Sequence, residues 1–276
     1  DKRRDEIRSL IDAQEKLTDE INLALDKAAT LSELEDIYRP YRPKRKTRAS
    51  IAKEKGLEPL ANDILKQEKG FDPSKSAVDY IDEEKGVTSV EDAIQGAMDI
   101  IAELVSDNAE IRKRIRNLTN ANGVLVSVAT DEEKDSVYKN YYDYKEPVKK
   151  IAGHRVLAVN RGEKEGFLKV SVETDSEKPL NSIFRAMITD KNQLCSDIIR
   201  EACTDAYQRL IYPSIEREVR NDLTDTASEN AMKVFAVNLK QLLMQPPVKG
   251  KTVLALDPGY RRLPLLTAQA RCLIQP

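Results

Sequence analysis

The chain has 276 residues, 40% hydrophobic and 33% charged, and its 45 basic side chains stand against 47 acidic ones for a formal charge of -2. That apolar share excludes disorder throughout, and the near balance of charge excludes a global field drawing the whole molecule onto nucleic acid or an anionic membrane. Aromatic residues reach only 5% and Trp is absent, which puts the core on Leu, Ile, Val and Ala and favours packed helices over a β-sandwich. The expected class is mainly α: a multi-helix scaffold with a small antiparallel β insert and one long helix near the C-terminus.

In chain order, Ile7, Leu10 and Ile11 form the stripe of a first helix. Thr18 caps a second through Ile21 and Leu25, and Thr30 with Glu33 opens a third through Leu34 and Ile37. Pro40 and Pro43 then end helix, and helical pattern resumes near Ala49. Asp72 caps a helix with Pro73 at its first position. Thr88 with Glu91 predicts the start of a long apolar helix, and Asp107 with Glu110 restarts the pattern towards Ile111 and Ile115. From Gly123 the period becomes alternating, which predicts strands at 124–128, 155–159 and 167–172, the last two joined by a hairpin loop over 160–166. Asp190 with Gln193 caps the next helix, Pro213 marks a fresh start, and apolar steps of three or four residues run on to Gln245. That is one helix of about 50 Å, stopped by Pro246 and Pro247. Residues 252–257 read as the first buried strand of a new domain.

The cysteines are Cys195, Cys203 and Cys272. The first two are about 12 Å apart along a helix, too far for a disulfide. An odd count with no CxxC fits a reducing cytoplasm, and no apolar run is long enough to span a bilayer. His154 is the single histidine, and a structural hydrogen bond at the head of a strand is its expected role. Cysteine and histidine spacings match no zinc pattern, so neither metal nor cofactor is expected. Asp257, on the last strand, sits where a ribonuclease-H-like fold places a first carboxylate, but one acid cannot hold two metals, and no catalytic residue is assigned.

The candidate binding segment lies between Tyr38 and Lys53. It carries Arg39, Arg42, Lys44, Arg45, Lys46, Arg48 and Lys53 with no acid among them, and Tyr38 and Tyr41 are interleaved. A proline-held stretch of this kind can offer cations to phosphates while its rings stack on bases or brace the loop. The competing reading is a solvated loop whose tyrosines pack on the core and whose charges pair with neighbouring helices. Arg112, Lys113, Arg114 and Arg116 form a second, weaker cluster.

Residues 34–47, reading Leu-Glu-Asp-Ile-Tyr-Arg-Pro-Tyr-Arg-Pro-Lys-Arg-Lys-Thr, resemble a segment of the Tex family of bacterial transcription accessory proteins. So do Tyr142-Asp143-Tyr144 with Glu146-Pro147, the stretch from His154 to Glu173, and Pro213-Ser214-Ile215-Glu216-Arg217-Glu218. Residues 245–251 leading to Asp257-Pro258-Gly259-Tyr260-Arg261 resemble the family's entry into its ribonuclease-H-like domain. The resemblance implies a longer protein, with a YqgF-like ribonuclease-H-like domain, helix-hairpin-helix elements and a C-terminal OB-fold that carries most nucleic-acid binding. On this reading 1–122 is an N-terminal helical region with the basic loop, 123–175 a small β insert, 176–250 a helical region with the long helix, and 251–261 the truncated start of the next domain. The family would continue with Thr-Gly-Cys-Lys after Arg261. Codons ACC-GGC-TGC read out of register give Arg-Leu, so 262–276 is expected to be a frameshifted, non-native tail.

The expected function is that of a cytoplasmic, non-enzymatic scaffold fragment that associates with RNA or DNA in transcription, mainly through domains beyond this chain. The alternative is a module that docks transcription or translation machinery without touching nucleic acid.

Overall fold

The computed structural model describes residues 2–43, 46–189 and 191–245, together with the strands Leu254–Leu256, Leu265–Thr267 and Cys272–Leu273. It divides into two compact units, Asp1–Ala227 and Ser228–Pro276.

The first unit opens with α1 (Lys2–Asp12), α2 (Asp19–Lys27) and α3 (Leu31–Tyr38). Thr18 Oγ1 accepts from Ile21 N at 3.3 Å and Thr30 Oγ1 from Glu33 N at 3.2 Å, fixing the starts of α2 and α3. Ile7, Ile11, Leu25, Leu34 and Tyr38 close a small core of their own between these helices. A 3-10 turn, Arg39–Tyr41, leads out of α3. Beyond the basic loop come α4 (Arg48–Glu54), α5 (Glu58–Lys66), α6 (Pro73–Ala77), α7 (Val90–Asp107) and α8 (Ala109–Asn122). Thr47 and Ser50 exchange side-chain and backbone hydrogen bonds at the head of α4. A larger core gathers Leu60 and Ile64 of α5, Ile100, Ile101 and Val105 of α7, and Ile199 and Cys203 of α11 (Gln193–Asp205).

The β insert is a three-stranded antiparallel sheet of order β2-β1-β3, with β1 Val124–Ala129, β2 Asp143–Pro147 and β3 Leu168–Glu173. Two of its strands fall where alternation predicts them. The third does not: residues 155–159 belong to a helix, α9 (Gly153–Lys164), and the expected hairpin loop is its continuation. Val156, Val159 and Gly162 are buried at a spacing of three along this helix. A run as short as Val-Leu-Ala-Val satisfies either period, and here the helical one prevails. The strand actually used, β2, hid because its inward residues include an acid: Glu146 sits opposite Leu125 and accepts from Arg155 Nη1 at 3.0 Å. The outer edge of β3 is closed by side chains in place of a fourth strand. Val170 N donates to Glu163 and Val172 N to Glu216, while Arg220 Nη1 donates to Val170 O at 3.0 Å and Tyr212 OH to Val172 O at 2.8 Å.

Three helix starts are shifted from their expected positions. Ser89 caps α7, Asn108 caps α8 and Asn192 caps α11, each accepting from the backbone N–H three residues on, whereas Thr88 and Asp107 stand one residue too early. Where two cap-competent residues are adjacent, sequence alone does not rank them. Asp190 lies outside the described residues. After α10 (Glu177–Met187), α11 passes through a π-helical turn, Ala206–Ile211, straight into α12 (Tyr212–Leu243). Pro213 therefore starts no separate element; the wider turn before it accommodates the missing N–H. The 32 residues of α12 span about 48 Å.

The N-terminal three-helix core joins the rest of the first unit through charge. Arg112 of α8 has no exposed surface, and Asp36 of α3 and Arg116 of α8 are also buried. Arg112 Nε donates to Asp36 Oδ1, and its Nη2 donates to Glu218 at 2.6 Å and Ser214 Oγ at 3.0 Å. Arg116 Nη2 donates to Asp36 at 2.6 Å and to Glu218 at 2.8 Å. Two acids and two arginines thereby tie α3, α8 and α12 at one point.

In the second unit, α12 continues beyond Ala227 with Met232, Phe235, Leu239 and Leu242 exposed. The strands β4 (Leu254–Leu256), β5 (Leu265–Thr267) and β6 (Cys272–Leu273) form an antiparallel sheet in that order. β4 falls inside the strand expected over 252–257, and β5 and β6 are built from residues after Arg261. Asp257 and the loops between these strands lie outside the described residues.

Two stability outcomes follow. A Cβ on Gly162 would meet Leu168 Cδ1 at 2.5 Å and Tyr138 Cδ1 at 3.1 Å, so Gly162→Ala is expected to destabilise by about 1–2 kcal/mol despite the better helix propensity of Ala; a urea midpoint equal to or above wild type would show that Leu168 gives way. Asp36→Ala leaves Arg112 and Arg116 facing Glu218 alone and is expected to cost about 3–5 kcal/mol in urea unfolding; a loss under ~1 kcal/mol would mean that the seam is held by something else.

Candidate nucleic-acid interface

The basic loop leaves α3 from a fixed point. Tyr38 is buried in the N-terminal core with the Arg3 guanidinium 5.9 Å from its ring centroid, and Tyr41 packs against the same core. Gln14 Nε2 donates to Tyr41 O at 2.9 Å, and Arg42 N donates to Tyr38 O at 3.1 Å. Both rings are thus braces, as one of the two sequence readings has it, and are not displayed for stacking on bases.

The cations divide into two groups. Arg39 turns back onto the fold, half-buried, with Nε 3.3 Å from Asp107 Oδ1. Burial and the neighbouring Arg112 guanidinium pull its pKa down, partly offset by Asp107, Asp36 and Glu218. Arg42, Lys46 and Arg48 are exposed; Lys46 Nζ lies 3.8 Å from Glu54, a distance at which a surface pair contributes little. Lys44 and Arg45 lie outside the described residues. Lys53, at the end of the run, is 3.0 Å from Glu58.

The second basic cluster is no patch. Arg112 and Arg116 are consumed in the buried network, and Lys113 Nζ pairs with Glu33 at 2.9 Å, leaving Arg114 exposed. For Arg116 burial works against the charge, but hydrogen bonds and attraction from Asp36 and Glu218 outweigh it and raise the pKa. Helical periodicity carried the warning, because Ile111, Arg112, Ile115 and Arg116 share the stripe that faces the core.

Sequence reasoning missed a recess of about 230 Å³ between α4 and α7, lined among others by Arg48, Lys55, Gln95 and Asp99. Asp99 is an acid set between Met98 and Ile100 in a buried stretch of α7, and that placement was the available signal. Burial raises its pKa, against the pull of Arg209 and Arg48. Elsewhere, His154 stands exposed in the first turn of α9, not at the head of a strand. Cys195 and Cys203 are buried free thiols, and burial pushes Cys203 up to about 12, which leaves no thiolate at neutral pH. Among the described residues no group of three His, Cys, Asp or Glu could hold a metal ion, and no helix is long and apolar enough to cross a membrane.

Residues 68–235 match the family profile described as Tex central region-like. The chain is 45% identical over 262 residues to the uncharacterized protein YdcI of Bacillus subtilis, an alignment covering 94% of this chain and 36% of that protein. It is 34% identical to the transcriptional accessory protein Tex of Neisseria gonorrhoeae, covering 91% of this chain and 34% of that protein. To the human S1 RNA-binding domain-containing protein 1 it is 29% identical, over 89% of this chain and 26% of that protein. The chain thus spans about a third of the length of the first two relatives and a quarter of the third. With a profile match across most of its length and the 142–173 and 213–218 segments inside that match, the chain belongs to the Tex family.

Proposed function

We propose that this chain is a non-enzymatic scaffold of a transcription accessory protein, and that its basic loop adds sequence-independent contact with the phosphate backbone of RNA or DNA. The observation that carries this reading is the outward set of Arg42, Lys46 and Arg48, on a segment clamped at one end by Tyr38 and Tyr41 and at the other by the Thr47 cap. Cations of this kind act through counterion release. The names of two relatives, one a transcriptional accessory protein and one carrying an S1 RNA-binding domain, support the same direction. A cytoplasmic setting accords with the free thiols of Cys195 and Cys203. Most of the affinity of a full-length protein would come from modules outside this chain, with the helices here holding them in place.

The exposed stripe Met232, Phe235, Leu239 and Leu242 on α12 favours a second reading, a docking module for transcription or translation machinery. Pull-down from lysate with and without nuclease separates the two, since only a protein partner survives digestion.

Replacing Arg42, Lys44, Arg45 and Lys46 with Ala is expected to weaken binding of a single-stranded oligonucleotide. It should also make the plot of log K against log salt shallower by about one unit per phosphate contact removed. Superimposable titrations of wild type and variant would take the loop out of consideration.

A further inference from the structure

The segment from Lys2 to Tyr41 carries a core of its own. Ile7, Ile11, Leu25, Leu34 and Tyr38 bury one another, and no residue of that cluster belongs to the larger core. The segment sits at the ~40-residue limit below which a chain seldom folds without a disulfide or a metal, and it contains no cysteine and no histidine. Its helices, of 11, 9 and 8 residues, are too short to hold their shape alone in water. Their order depends on what they touch.

Against α8 that support is mainly ionic. Arg112 Nε and Arg116 Nη2 each donate to one oxygen of Asp36, with Lys113–Glu33 and Arg39–Asp107 at the margins. Apolar packing does not fill the junction: Ala24, Ala28, Ile37 and Ala109 line a recess of about 400 Å³ between α2, α3 and α8. The seam is also unequal in its two halves. With α1–α3 withdrawn, Arg112 keeps Ser214 and Glu218, and Arg116 keeps Glu218. Arg112 Nη1, buried with no hydrogen-bond partner among the described residues, would gain water. Opening therefore costs the contacts of one carboxylate, two marginal pairs and a small apolar core, while the larger core keeps its own.

We infer that α1–α3 is a separately melting unit, latched onto α8 through Asp36, which unfolds locally while the larger core stays folded. Tyr38, Tyr41 and Arg39 hold the start of the basic loop, so opening removes the fixed point after which the exposed Arg42 follows. Order and disorder of three helices thereby become a switch on the geometry at that end of the loop.

The test is hydrogen–deuterium exchange of the whole chain in native buffer, read by mass spectrometry. Amides of α1, α2 and α3 are expected to exchange as one group, at least about tenfold faster than those of α7 and α11. Asp36→Ala should speed that group by about hundredfold, or to the rate of unstructured peptide, with α7 and α11 unchanged. Lys113→Ala, which removes only a marginal pair, should speed it by less than about fivefold. Wild-type amides of α1–α3 as slow as those of α7 would overturn the inference without any variant. So would an Asp36→Ala protein in which α7 and α11 lose protection together with α1–α3, because the opened state would then not retain the larger core.

Discussion

The geometry of the first unit turns on the buried meeting of Asp36, Arg112, Arg116 and Glu218. Without it the N-terminal three-helix core and the larger helical core, each able to bury its own apolar residues, would be joined mainly by the more exposed pairs Arg39–Asp107 and Lys113–Glu33. Apolar faces tolerate slip, whereas a planar guanidinium shared between two carboxylates does not. Burying such charges costs several kcal/mol per ion, which the shared hydrogen bonds and Ser214, a further acceptor, offset, while Arg112 Nη1 is left without a hydrogen-bond partner among the described residues. The residues come from positions 36, 112, 116, 214 and 218, so the seam closes only when distant parts of the chain are already placed.

That seam fixes where the basic loop begins. Asp36 holds the last turns of α3, Tyr38 fills the core two residues on, and Arg39 reaches Asp107 at the end of α7. The loop is thus aimed before its free cations appear, and it re-enters helix under the Thr47 cap, next to the recess of α4 and α7. Counting basic residues between Tyr38 and Lys53 overstates the charge available to a ligand. Arg39 is turned inward and the exposed Lys53 pairs with Glu58 at 3.0 Å, while Arg42, Lys46 and Arg48 face solvent.

Much of this was legible in the sequence. Helical class, the long α12, the three opening helices, the β insert and its first and last strands followed from period and caps, because those features depend on neighbours within a few residues. Misreadings came where a long-range partner decides. Residues 155–159 are helical because Val156 and Val159 face the core one turn apart, and β2 is a strand although it turns Glu146 inward, half-buried, where Arg155 and the Tyr144 hydroxyl hold it. The same holds for the cluster at 112–116: four basic residues look like surface until Asp36 and Glu218 are brought to them by folding. Asp99 and its recess need three elements to be assembled before they exist.

Four of the segments that carry the family resemblance also supply partners to the polar networks of the first unit. Residues 34–47 contribute Asp36, 213–218 contribute Ser214 and Glu218, 142–147 contribute Glu146, and 154–173 contribute Arg155 and Glu163. Polar residues at such places are restricted by geometry, since each must present the right atoms to a partner from another element. Arg42, Lys46 and Arg48 answer to a looser demand, positive charge in solvent near a fixed point, which many side-chain arrangements satisfy. Resemblance in these segments therefore speaks first for a shared scaffold. The proposed contact with nucleic acid rests on the few cations that the scaffold leaves exposed.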